Sequence, residues 1–136
     1  MAGKVTVHME QRSATTTEGI ARSHHVLIDR PLEKEGTDEG MMGGEMLLVS
    51  LGGCFMSNLL AAIRARSAAV LDIRVEVVGT TADAPTRFDA IHMTISAKYD
   101  DADLMEKLVT IAERGCLVAN TLKSAVTLSM TSVAVE

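Results

Sequence analysis

The chain is organised around one long apolar stretch, Gly44-Glu45-Met46-Leu47-Leu48-Val49-Ser50-Leu51-Gly52-Gly53-Cys54-Phe55-Met56-Ser57-Asn58-Leu59-Leu60-Ala61-Ala62-Ile63-Arg64. Residues 46–63 carry no charge, so a helix here is apolar on nearly every face and must be enclosed by other elements. The stretch therefore predicts a long buried central helix. An uncharged run of about 18 residues also reaches the lower limit for a membrane span. Strands and an amphipathic helix follow it, however, which is typical of a soluble domain.

Small or polar side chains mark one face of this helix. At about 100° per residue, that face contains Ser50, Cys54, Ser57, Asn58 and Ala61. Either these residues let another backbone pack closely, or they line a small cleft with the Cys54 thiol at its floor. The pattern leaves both interpretations open.

Length and composition predict one globular domain over residues 1–136, with 47% hydrophobic and 23% charged residues. A net charge of −5, no basic run and few aromatic residues argue against nucleic acid or a membrane surface as partner. The N-terminus lacks a signal-peptide pattern, so we expect a cytoplasmic protein. In a reducing cytosol, two cysteines are more often buried bystanders or redox-active thiols than a permanent bridge.

Alternating apolar side chains predict two strands in the first part of the chain. Residues 4–11 form a half-buried strand, residues 13–19 a turn, and residues 21–29 a second strand. His24 and His25 point to opposite faces of that second strand, so they are a poor chelating pair and predict no metal site.

A loop and a helix start come next. Arg30-Pro31 ends the second strand, and residues 32–44, rich in Gly, Glu and Asp without periodicity, predict an exposed loop. Glu45 then opens the central helix, where a carboxylate suits the positive end of the helix dipole. Position alone does not separate this structural role of Glu45 from a catalytic one.

A hairpin and a capped helix follow the central helix. Residues 73–78 and 88–99 predict the hairpin strands. The inward-facing side chains of the second strand are predicted to be Ile91, Met93, Ile95 and Ala97. Asp100, Asp101 and Asp103 supply the cap and first-turn acids of the helix. Its predicted buried stripe is Leu104, Leu108 and Ile111, and Gly115 closes it.

The end of the chain carries the second cysteine and a last strand. Cys116 begins a short helical segment, where the helix dipole favours a thiolate. The last strand covers residues 125–135, and its apolar side chains change phase near Ser132, which predicts a bulge. Because strands occur in hairpins, the predicted class is α+β with antiparallel sheets. The strands of one chain are too few to bury an apolar central helix on every face. We therefore expect a partner chain to bury the remaining face.

Two motifs together resemble one family. They are Glu45-Met-Leu-Leu-Val-Ser-Leu-Gly-Gly-Cys54 and Glu113-Arg-Gly-Cys116-Leu-Val-Ala-Asn-Thr-Leu-Lys123, and they are similar to the signatures of the OsmC/Ohr family of peroxide-reducing proteins. The similarity runs from about residue 25 to the C-terminus. It departs at Leu117, where the family usually carries proline. The resemblance implies an OsmC-like fold, an intertwined homodimer with two active sites at the subunit interface.

The resemblance also implies roles for individual residues. Cys54 matches the peroxidatic thiol, Cys116 the resolving thiol, and Glu45 the glutamate that holds a catalytic arginine. Arg30 matches the OsmC-type position of that arginine and is favoured over Arg12, which lies loosely where Ohr-type members carry theirs. Glu45 and Cys54 fall on opposite faces of an ideal helix. Either the two glycines distort the helix, or Glu45 acts through the arginine.

The predicted function is a thiol-dependent peroxidase that reduces organic hydroperoxides in oxidative-stress defence. Thiol chemistry of this kind needs an external thiol reductant and no metal or other cofactor. The alternative is a non-enzymatic dimeric binding protein for a small apolar ligand, with both cysteines as packing residues. A Cys/His metal site is disfavoured because neither cysteine has a second ligand at zinc-site spacing.

Overall fold

The computed structural model describes residues 2–136, and the chain divides into two compact units, Met1–Leu47 and Leu48–Glu136. In chain order the elements are β1 (His8–Gln11), β2 (Thr17–Ala21), β3 (His24–Ile28), α1 (Gly43–Arg66), β4 (Leu71–Ala82), β5 (Arg87–Lys98), α2 (Ala102–Arg114), α3 (Leu117–Leu122) and β6 (Thr127–Ala134). The strands form two three-stranded sheets, β1-β2-β3 and β4-β5-β6. The predicted α+β class is therefore confirmed. A single domain over residues 1–136 stays a prediction.

The first sheet is antiparallel and contains a strand that the sequence pattern missed. β2 begins inside the segment predicted as a turn, and a tight turn at Arg22 and Ser23 divides the segment predicted as one strand. Arg22 has a φ of 57°, a conformation that a Gly or Asn would normally signal. Because the turn contains neither Gly nor Asn, the sequence pattern did not predict it.

β1 is shorter and more exposed than predicted. It starts at His8 rather than at residue 4, and all four of its residues are exposed. Val5, Val7 and Met9 are 90%, 58% and 56% exposed, so the half-buried strand is wrong for a single chain. The alternation still marks an apolar face, which this chain leaves uncovered.

A buried carboxylate organises the loop after β3. Asp29 is 3% exposed, and its Oδ2 accepts hydrogen bonds from Thr16 Oγ1 at 2.8 Å and Thr37 Oγ1 at 2.6 Å. The Glu39 N–H donates to the same oxygen at 3.2 Å, and the Arg30 N–H donates to Oδ1 at 2.7 Å. The predicted loop therefore has a defined path, which includes a 3-10 turn over Leu32–Lys34.

The predicted hairpin is confirmed in the second unit. β4 and β5 pair antiparallel, and the side chains predicted to face inward are 0–1% exposed. These are Ile91, Met93, Ile95 and Ala97. They form the core of the unit together with one face of α1 and the buried side of α2.

β6 corrects two details of the prediction. It pairs parallel with β5, so this sheet is not wholly antiparallel, because α2 and α3 form a crossover long enough to return the chain in the same direction. The register also runs unbroken from Thr127 to Ala134, so no bulge lies near Ser132. Val133 is 41% exposed and Val135 40% exposed. The shift in apolar alternation therefore comes from two valines that lie on an exposed surface, not from a bulge.

Only one face of α1 is covered within the chain. Leu51, Phe55 and Leu59 are fully buried, whereas Val49 is 49% and Leu60 48% exposed. The prediction that other elements of the chain bury the helix is therefore confirmed for only one of its faces. By length and composition α1 could also cross a membrane, but the core helices of soluble proteins satisfy the same criterion.

α2 has the predicted cap and a rotated buried face. The Asp101 carboxylate accepts a hydrogen bond from the Leu104 N–H at 2.9 Å, and Gly115 is the C-cap. Leu108 is buried as predicted, but Leu104 and Ile111 are only half-buried. The other buried residues of this helix are Met105, Val109 and Ala112.

Candidate active site

Cys54 lies in the middle of α1, next to the residues that fix this helix in the core. Its side chain is half-buried and packs against the cluster that contains Phe55. A Cβ on Gly52 would lie 3.1 Å from Val77 Cγ2, so glycine permits the close approach of β4 to α1. α1 is α-helical through Gly53, which excludes the helix distortion considered above for Glu45.

Cys116 lies at the junction of α2 and α3. The Gly115 N–H donates to Ile111 O at 3.1 Å and the Cys116 N–H donates to Glu113 O at 3.1 Å, which ends α2. Cys116 is then the N-cap of α3, and its Sγ accepts a hydrogen bond from the Ala119 N–H at 3.4 Å. The thiol is fully buried, and neither cysteine is in a disulfide.

Asn58 holds the face of α1 that carries Cys54 against this junction. Its Nδ2 donates to Ala112 O at 3.5 Å, and the same nitrogen lies 3.7 Å from the position of a Cβ on Gly115. Asn58 is one turn after Cys54 on the same face, so this contact brings the Cys54 face of α1 to the junction that carries Cys116. The small-residue stripe thus serves close packing at Asn58 and leaves the Cys54 thiol accessible.

The two thiols have opposite electrostatic environments. Burial acts to raise the pKa of Cys54, but the N–H groups of Val118 and Leu117 and the Cys116 thiol donate hydrogen bonds, and the net pKa lies below its ordinary value. Burial also raises the pKa of Cys116, and there it outweighs the Ala119 N–H. The start of α3 does favour a thiolate at Cys116 through the Ala119 N–H, but burial is the larger effect and the net pKa of Cys116 is raised.

The candidate arginines lie in the first unit. Arg12 is paired with Glu18 and lies 3.5 Å from Glu10, and its guanidinium holds the pKa of Glu18 below the ordinary value. Arg30 forms no ion pair with any carboxylate of residues 2–136. With Lys34 it lines an open groove of about 420 Å³ in this unit. Arg30 is thus the uncommitted cation of the two.

Glu45 has a structural contact at the start of α1. Its Oε1 accepts a hydrogen bond from the N–H of Met42, the residue directly before α1, at 2.9 Å, which satisfies a donor that has no acceptor within the helix. Within the described chain it pairs with neither Arg12 nor Arg30. Its predicted role in holding the arginine stays a prediction.

Sequence motifs did not reveal the amides of Leu117 and Val118. The signal that could have found them is the start of a helix directly after Cys116, because the first N–H groups of a helix lack intrahelical acceptors. No group of three metal-ligating side chains occurs in residues 2–136.

Comparison with known proteins places the chain in a family. Residues 36–131 match the family described as OsmC-like protein. No curated protein matches the sequence.

Solved structures share the whole fold at low sequence identity. An OsmC-like protein from Mycoplasma pneumoniae has a TM-score of 0.86 at 15% identity, with 100% of both chains covered. An organic hydroperoxide resistance protein from Elizabethkingia anophelis has a TM-score of 0.74 at 10% identity, with 99% of both chains covered. An organic hydroperoxide resistance protein OsmC from Legionella pneumophila has a TM-score of 0.70 at 14% identity, with 99% of both chains covered. These likenesses show the fold, and the family match covers most of the sequence, so the chain belongs to the OsmC-like protein family.

Proposed function

We propose that the protein is a thiol-dependent peroxidase that reduces organic hydroperoxides. The observation that carries the proposal is the unequal pair of thiols, in which Cys54 is half-buried with a lowered pKa and Cys116 is buried with a raised pKa. A nucleophile must be deprotonated and reachable, whereas a resolving thiol reacts only later. Two proteins of the same fold are named organic hydroperoxide resistance proteins, which supports this substrate class.

The first half-reaction consumes the hydroperoxide. The Cys54 thiolate attacks the terminal oxygen of R–O–O–H, and the O–O bond breaks. The alkoxide leaves and takes a proton to become the alcohol, while Cys54 loses two electrons and becomes a sulfenic acid. An arginine near this sulfur would stabilise the thiolate. We assign that role to Arg30, with Glu45 holding it.

The second half-reaction restores the enzyme. The Cys116 sulfur attacks the sulfenic sulfur of Cys54, water leaves, and a disulfide forms. Two equivalents of an external thiol, or one dithiol, then reduce the disulfide by exchange. Cys116 is held ready for this step because the Asn58 contact keeps the start of α3 beside Cys54.

The oligomeric state and compartment belong to the same proposal. The uncovered apolar side chains of α1, including Val49 and Leu60, support a homodimer with its active sites at the subunit interface. Apolar side chains around Cys54 suit a hydroperoxide with a hydrocarbon tail. The proposed compartment is the cytoplasm, where reducing thiols are available.

One equivalent of cumene hydroperoxide tests the proposal. Reduced protein should consume the hydroperoxide and yield a Cys54–Cys116 linked peptide by mass spectrometry, and protein with both thiols alkylated serves as the control. No consumption, together with saturable binding of an apolar fluorophore, would instead establish the non-enzymatic binding protein.

A further inference from the structure

We propose that Asn58 is a positioning residue for disulfide formation, because its carboxamide ties the face of α1 that carries Cys54 to the end of α2 that carries Cys116. The role of this contact in peroxide turnover rests on the proposed function. The contact itself joins the surroundings of the two thiols, and it can be tested without any peroxide.

Asn58 is a residue that the middle of α1 would not be expected to contain. Residues 46–63 carry no charge, and their other polar side chains are the hydroxyls of Ser50 and Ser57. Asparagine is a poor helix former, and a carboxamide that loses water needs a hydrogen-bond partner. The partner of Asn58 lies on another helix, since Nδ2 donates to Ala112 O at 3.5 Å.

The carbonyl of Ala112 belongs to a helix end that requires donors, because the last four carbonyls of an α-helix have none within the helix. At the end of α2, three of them accept hydrogen bonds from the segment that follows, namely from the N–H groups of Gly115 and Cys116 at 3.1 Å and from Asn120 Nδ2 at 3.0 Å. Ala112 is fully buried, and within residues 2–136 only Asn58 donates to its carbonyl. A buried carbonyl without a donor is costly, so Asn58 completes the cap of α2 from the neighbouring helix.

The same contact reaches the surroundings of both thiols. Cys54 is four residues before Asn58, so their side chains are neighbours on one face of α1. Gly115 directly precedes Cys116, and the position of a Cβ on Gly115 lies 3.7 Å from Asn58 Nδ2. Cys116 is part of the buried core, and Cys54 packs against the same core. Asn58 thus links the two segments that must approach each other when the disulfide forms.

The position of Cys116 decides what happens to oxidised Cys54. The sulfenic acid either condenses with the Cys116 thiol to give the disulfide and water, or reacts with a second hydroperoxide to give a sulfinic acid and an alcohol. The first step is intramolecular, and its rate depends on how well the second thiol is held in reach. A contact that fixes the end of α2 therefore favours the disulfide and protects Cys54 from overoxidation.

Asn58→Leu removes the donor and keeps a branched side chain of similar size that suits the middle of a helix. Asp101→Ala is the matched control, because it weakens α2 at its other end, where the Asp101 carboxylate accepts the Leu104 N–H at 2.9 Å. The control therefore lowers the stability of the same helix without touching the contact between Asn58 and Ala112.

The first measurement is the equilibrium of the two cysteines with reduced and oxidised glutathione, quantified by mass spectrometry of the Cys54–Cys116 linked peptide. The effective concentration of one thiol at the other should be about fivefold lower in Asn58→Leu than in the wild type, the factor that one net hydrogen bond supplies. Asp101→Ala should match the wild type, because the folded chain still holds both thiols in place.

The second measurement is the fraction of Cys54 recovered as sulfinic acid after excess cumene hydroperoxide. This fraction should be about fivefold higher per turnover in Asn58→Leu, because condensation is slower by the same factor. Both competing steps start from the sulfenic acid, so their ratio does not depend on the rate of the first attack.

An unchanged glutathione equilibrium in Asn58→Leu, or an equal shift in Asp101→Ala, would overturn the positioning role. If Asn58→Leu has no thermal unfolding transition, Asn58→Ala removes the same donor and takes its place in the comparison. If the wild type consumes no hydroperoxide, the proposed function fails, while the glutathione equilibrium still decides whether Asn58 holds the two thiols together.

Discussion

At the scale of single residues, the main chain and burial differentiate the two thiols. Cys54 receives hydrogen bonds from the start of α3 and becomes the better anion. Cys116 is enclosed, and its burial favours the neutral thiol. The junction of α2 and α3 therefore shifts the pKa values of the two cysteines in opposite directions.

Arg30→Ala should lower the peroxidase activity far more than Arg12→Ala. A charge near the thiolate stabilises it, and we expect a loss of about tenfold or more for Arg30. Arg12 is paired with Glu18, so its loss should change the activity little. First-turnover rates of the two variants give the comparison. Equal, small losses would show that neither arginine serves Cys54.

Asp29→Asn should destabilise the protein at neutral pH and much less in acid. Hydrogen bonds from Thr37 and Thr16 and from the backbone of Glu39 and Arg30 outweigh burial and hold the pKa of Asp29 far below its ordinary value. A lowered carboxyl pKa gives stability that is complete above the unfolded pKa of about 4 and is lost as the pH falls below it. Thermal unfolding from pH 7 to pH 2 should therefore show a melting-temperature gap to the wild type that narrows below about pH 4.

Asp38→Asn is the matched control for Asp29→Asn. Asp38 is an exposed carboxylate of the same loop, and its side chain makes no hydrogen bond within the described residues. Its melting temperature should stay near that of the wild type at every pH. An Asp29→Asn gap that is constant with pH would contradict the role given to the charge.

The residues of the site were predictable in part. Cys54 and Cys116 are far apart in sequence, and only the resemblance implied that they meet. The amides of Leu117 and Val118 carry no side-chain signature, because their action depends on where α3 begins beside α1. The sequence identifies the two thiols, but the difference between their pKa values depends on burial and main-chain contacts that no sequence pattern shows.

At the scale of elements, apolar periodicity predicted the helices and strands whose burial depends on packing within one chain. α1, the β4–β5 hairpin and the capped α2 were predicted because each has a strong apolar pattern or a recognisable cap. β2 was missed because its turn uses Arg22 at positive φ without a glycine. The parallel direction of β6 was missed because alternation is the same in parallel and antiparallel strands.

Asp101→Ala should lower the free energy of unfolding by about 1 kcal/mol, the usual cost of losing an N-cap. The Asp101 carboxylate accepts the Leu104 N–H at 2.9 Å, and this bond has no substitute in the variant. Asp100→Ala removes a neighbouring exposed acid without a cap role, and its unfolding free energy should lie within about 0.5 kcal/mol of the wild type. Urea unfolding measures both. A similar loss in the two variants would argue against the cap.

At the scale of the whole molecule, the apolar surface left uncovered by one chain is the main unsatisfied feature. Val5 is 90% exposed, Val49 49% and Leu60 48%. Exposed apolar patches of a soluble protein mark interaction sites. The alternating apolar residues of the first predicted strand and the apolar surface of α1 both predicted more burial than a single chain provides. A second copy that covers these surfaces would account for both patterns.

The protein should therefore be a homodimer at every workable concentration. Light scattering at micromolar concentration should give twice the chain mass of 14.5 kDa, and unfolding should depend on protein concentration. A mass of 14.5 kDa with native circular dichroism would contradict the dimer.

The central claim is that Cys54 attacks the hydroperoxide and Cys116 resolves the product. The most direct measurement is the stopped-flow rate of hydroperoxide loss in the first turnover of Cys116→Ser and Cys54→Ser, with wild type as reference. Cys116→Ser should react at nearly the wild-type rate and accumulate a sulfenic acid on Cys54, whereas Cys54→Ser should react at the background rate. Equal loss of the first turnover in both variants, or a faster reaction in Cys54→Ser, would contradict the account.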